Sequence, residues 1–196
     1  MARKRKFSYS KTRAQRALFR QLAAAEVETI DRFLAHVRDA AAAQRHSIER
    51  RADKLPAEVR EFLADDLSEL DVISDLADEL AIVAVYRVVE INRARMLLGK
   101  FPAAPSRTAS YIDRLRKFLK GQGVDLDRIP YHRAVEELRL LNNAIKHDAG
   151  YVSAELASKY PRWKQGAKLA GLGGTYERLK GRVPNYILRF AQRIKL

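Results

Sequence analysis

The chain has 196 residues, 47% of them apolar, with a mean hydropathy of −0.36, proportions that suit a soluble domain with its own core. It holds no cysteine, which excludes disulfides and thiolate metal sites. The basic N-terminus lacks the apolar stretch of a secretory signal, and the longest apolar run, Leu80–Val89, is interrupted by Arg87 and reaches about half a membrane span. The sequence therefore predicts a cytoplasmic protein with no membrane partner.

The net charge of +14 is unevenly placed. Residues 1–20 carry eight Lys/Arg and no acid, and residues 159–196 carry ten against one Glu, whereas the middle holds 20 basic and 23 acidic residues. Cationic ends on a near-neutral body point to a polyanion partner, nucleic acid first; a solvated basic surface is the alternative.

Met1–Lys6, extended to about residue 12, reads as a basic disordered tail, with Arg3, Lys4, Arg5 and Lys6 as backbone-binding candidates. Residues 13–196 read as a single all-α domain. Ser10 or Thr12 can cap the first helix. Its apolar positions Val27, Ile30, Leu34, Val37, Ala41 and Ile48 follow three-four spacing to about Ala52. Asp53–Pro56 breaks it. A second long helix then runs from about Ala57 to Leu98, with a bend possible at Ser68 or Ser74. The short turn folds it back antiparallel, making residues 13–100 a helical hairpin. Leu80–Ile91 is apolar on nearly every face, so other helices must cover it. The acids between Glu61 and Leu80 read as a solvated face, able to receive a basic segment. No Glu among them has a His three residues on, so neither metal nor cofactor is expected.

Beyond Gly99–Pro105, Ser106 or Thr108 can cap a third helix that carries Ile112, Leu115, Phe118 and Leu119 and stops at Gly121 or Gly123. A fourth helix opens at Tyr131 and ends at Gly150. A short helix over Ala154–Tyr160 is capped by Ser153 and stopped by Pro161. Arg162–Gly181 reads as a glycine-rich basic loop, and a last helix starts near Pro184. The fold expected is a helical bundle on a long antiparallel pair, with the fourth and last helices packed at its root. Narrow stripes on such long helices also predict a homodimer.

The fourth helix carries the densest chemistry. Leu138, Leu141 and Ile145 take its buried side, while Arg139, Asn143 and His147 form a stripe at i, i+4, i+8, beside Asn142 and Lys146. A cation can hold a phosphate, an amide can orient a hydroxyl, and an imidazole can transfer a proton near neutral pH. Polar residues on a solvated helix face, with His147 near the C-terminus, are the plainer reading. Arg162, Trp163 and Lys164 form an aromatic–basic cluster that could stack a base, although a Trp closing the core under a loop fits as well. His36 and His46, on the first helix, lack a partner at metal spacing, and His132 sits in the first turn of the fourth helix; all three read as structural or exposed.

The segment LRLLNNAIKH resembles the motif helix of the HEPN superfamily, small all-α domains that include metal-independent ribonucleases. Asn143-Ala144-Ile145-Lys146-His147 matches the Asn-x-x-x-His part of the Arg–polar–His motif. The Arg does not match, since Arg139 lies seven intervening residues before His147 where four to six are usual. The resemblance implies His147 as acid/base, Asn143 as its polar partner and Arg139 as a geometric substitute for the motif cation. It also implies a dimer with a composite RNA site. LLNNAIKH is similar to the N-box of histidine-kinase ATP-binding domains too, but that fold needs strands and an Asp-x-Gly-x-Gly box that are missing here.

Overall fold

Apolar spacing of three and four, with no glycine or proline before Pro56, yields one helix, α1, over Ala2–Ala52. In this computed structural model residues 2–105 and 107–196 are described, those of 2–11 and 57–62 by their backbone alone. The start expected at Ser10 or Thr12 thus lies inside α1, and the tail expected to be disordered continues the helix. ARKRKFSYSK contains nothing that breaks one. After the Asp53–Pro56 turn, α2 spans Ala57–Lys100 as one helix, passing through Ser68 and Ser74 without interruption. Side-chain pairs fix the antiparallel register: Arg45 with Asp71, Arg38 with Asp78 at 2.8 Å, and Asn92 Nδ2 donating to Glu26 Oε2 at 3.0 Å. Two acids of the acidic face are therefore engaged by arginines of α1.

The remaining helices are α3 (Ile112–Gly121), α4 (His132–His147), α5 (Ala154–Lys159), α6 (Leu172–Lys180) and α7 (Arg182–Arg193). The chain is all-α, a helical bundle. Among the described residues the only β-type pairing is an isolated antiparallel bridge, Tyr151 to Lys168. Thr108 does not cap α3, which begins at Ile112; its hydroxyl instead bonds the Pro105 carbonyl at 2.6 Å. Ser106 lies outside the described residues. Ser153 caps α5 as expected, accepting from Leu156 N at 3.2 Å.

The glycine-rich segment is not all loop. Gly171, at φ 65°, turns the chain into α6, and Gly173 brings that helix against α2. A Cβ on Gly173 would collide with the Asp78 carboxylate. Helix α7 starts two residues before Pro184, within the first turn where proline is tolerated. Together α4, α6 and α7 cover the apolar half of α2, burying Ile82, Val85 and Val89 completely. A second, smaller cluster of Ile48, Leu63 and Leu70 lies toward the tip of the hairpin. Leu80, Leu76, Ile73, Val72 and Phe33 stay exposed on the same hairpin. No helix among the described residues is long and apolar enough to cross a membrane.

Candidate functional site

Tyr131, in the left-handed region at φ 69°, sets the entry into α4. At the other end the Ala144 carbonyl accepts from both Asp148 N and Gly150 N, at 3.1 and 2.9 Å. Ala149 and Gly150 take φ of 50° and 79° and turn the chain sharply away, a common way to satisfy the last carbonyls of a helix. His147 is thus the final helical residue and stands exposed, next to exposed Lys146.

These two residues rim a cleft of about 340 Å³. Its lining brings together all five chemistry-bearing residues of α4, namely Arg139, Asn142, Asn143, Lys146 and His147. Two other segments complete it: Tyr86 and Glu90 from α2, and Ser110–Asp113 leading into α3. The sequence pattern gave no hint of this second wall. Tyr86 and Glu90 sit within an apolar run, and their place depends on how α4 lies across α2.

Within the cleft the groups differ in how far their bonding is satisfied. Arg139, only 12% exposed, donates from Nε and Nη2 to Glu136 at 2.9 Å each and from Nη2 to Glu155 at 3.0 Å. It is therefore a clamped structural cation rather than a free phosphate ligand. Asn142 is buried, with Oδ1 unpartnered and Nδ2 only 3.5 Å from Asn143 Oδ1. Lys146, His147 and the half-buried Glu90 make no hydrogen bond or ion pair with the described residues.

Two buried carboxylates on α4 hold the site in place. Glu136 also accepts from Lys159 Nζ at 2.9 Å. Burial pushes its carboxyl up, but the bonds from Arg139 and Lys159 outweigh that and hold it at about 2. Glu137 accepts from Trp163 Nε1 at 3.0 Å and from Arg178 at 2.9 and 3.2 Å. The indole is therefore buried against α4 and is not a stacking platform, which corrects the base-binding role considered for Trp163. Arg162 Nε also lies 3.4 Å from Glu137, whereas Lys164 is exposed and has no partner among the described residues. Arg3, Lys4, Arg5 and Lys6 fall among residues whose side chains are not described.

His132 is buried beside a separate, shallower cleft that also touches Arg116, Arg133 and Lys159. Its Nε2 is 3.1 Å from Asp127 Oδ1, yet neither ring nitrogen makes an aligned hydrogen bond. Burial and then the Arg93 charge hold its pKa below the ordinary histidine value, against the opposing pull of Glu136 and Asp127. His36 and His46 are exposed on α1.

No family model, curated protein or solved structure matches the chain.

Proposed function

We propose that the chain is a HEPN-like RNA-binding protein whose cleft between α2 and α4 receives an unpaired strand. One observation carries the reading: His147, Lys146, Asn143 and Asn142 line one cleft, with the cation and the imidazole at its rim unpaired among the described residues. The Lys/Arg excess of the terminal segments supports a polyanion partner. Attack of a ribose 2′-hydroxyl on the adjacent phosphorus, expelling the 5′-oxygen, needs one group to take a proton and another to give one. One chain supplies a single His147 to this cleft, so the second proton-transfer group comes either from Lys146 beside it or from the His147 of a second copy. The exposed apolar side chains Val72, Ile73, Leu76 and Leu80 along α2 support pairing with a second copy.

The capture of Arg139 by Glu136 and Glu155 favours a second reading, a module of this fold that binds without cleaving. Labelled single-stranded RNA titrated between 50 and 200 mM salt tests binding. Affinity should fall linearly on logarithmic axes, and Lys146→Ala should reduce the slope by about one. Absence of binding at 50 mM salt overturns the proposal. His147→Ala should abolish cleavage while leaving binding largely intact. If the wild-type chain leaves varied RNAs uncut, with or without added metal, the non-cleaving reading stands.

A further inference from the structure

The cleft has two chemically different sides. The Lys146–His147 rim suits a phosphate, but Glu90 and Asn142 on the floor are acceptors left without donors. Asn142 is 5% exposed and its Oδ1 has no partner, a state that a buried acceptor ordinarily avoids. The Glu90 carboxylate, half-buried on α2, is equally unpaired among the described residues. A ligand that presented only phosphate would leave both acceptors unpaired. In the adjoining wall, Tyr111 is 49% exposed, with the Arg114 guanidinium 4.7 Å from its ring centroid. A half-exposed ring beside a bound cation is a surface on which a base can stack.

Resting on the RNA-binding reading, we infer that this floor is a nucleobase subsite selecting a base with adjacent N–H donors, guanine above all. The N1–H and N2–H₂ groups of guanine can donate side by side to the Glu90 carboxylate. The remaining N2 hydrogen can then donate to Asn142 Oδ1, and O6, at the other end of the same edge, can accept from the Asn143 amide. Uracil offers one N–H between two carbonyls and would set an oxygen against Glu90. A site built from buried acceptors rejects a ligand lacking the matching donors, because its own groups then stay unpaired.

The test uses the full chain with the four nucleoside 5′-monophosphates, followed by calorimetry, alongside an RNA lacking guanine. Guanosine monophosphate should bind at least tenfold more tightly than uridine monophosphate. Glu90→Gln should bring the two within about twofold, with uridine monophosphate unaffected. Tyr111→Ala, at a half-exposed position, should weaken all four nucleotides alike. Equal affinities for the four, or an unchanged preference in Glu90→Gln, overturn the subsite. Salt-dependent RNA binding without base preference removes this inference alone. Failure to bind RNA as well as nucleotides removes the functional reading beneath it.

Discussion

Glu136 is the residue on which the site's geometry depends, because it holds Arg139 and Lys159 from a buried position. Its carboxyl is ordinary near 4.5 when free and sits at about 2 in the fold. Its contribution is thus complete above about pH 4.5 and is lost as pH falls toward 2. His132 acts earlier in the same direction. With its folded pKa below 6.5, it favours the fold above that value and ceases to as pH drops beneath it. Arg93 and Arg116 oppose its protonation, while Glu136 and Asp127 favour it. Urea midpoints measured from pH 8 to 3 should therefore decline in two windows, one beginning below about 6.5 and one below about 4.5. Glu136→Gln should cost about 3 kcal/mol at neutral pH and flatten the second decline. His132→Phe should flatten the first.

At the scale of elements, the two long helices were legible because their apolar spacing is regular and proline marks the break. Helix α4 and its polar stripe were legible for the same reason. Helix α6 was not, since Gly171, Gly173 and Gly174 resemble a loop until their neighbours are known. Gly173 is small because Asp78 of α2, itself bound to Arg38, occupies the space beside it. Gly174 has nothing within 4 Å of its would-be Cβ, so its size meets no packing demand. Gly173→Ala should cost about 1–2 kcal/mol in denaturant unfolding, whereas Gly174→Ala should stabilise by up to about 1 kcal/mol. Equal effects at the two positions would contradict the close approach of α6 to α2. The buried pair Glu136 and Glu137 was illegible for a related reason. Residues such as Lys159, Trp163 and Arg178 neutralise or bond them from later segments, and no local pattern announces those partners.

Across the whole molecule, the hairpin is held by two apolar clusters of unequal size. The root shares the main core with α4, α6 and α7, but the tip relies on Ile48, Leu63 and Leu70 with a few half-buried neighbours. Local opening should follow that difference. Native-state amide exchange should be faster at residues 41–52 and 63–74 than at residues 81–97. Leu70→Ala should speed exchange at the tip while barely shifting that of the root; uniform exchange along the hairpin would contradict a separate distal cluster. The root itself has a consequence for the chain during synthesis. The faces of α1 and α2 that receive α7 are complete long before Val183–Ile194 has been made. At roughly 5–20 residues per second the intervening stretch takes several seconds to emerge. Until α4, α6 and α7 have all been made, the nascent hairpin lacks the helices that cover Ile82, Val85 and Val89, an apolar surface that chaperones can hold.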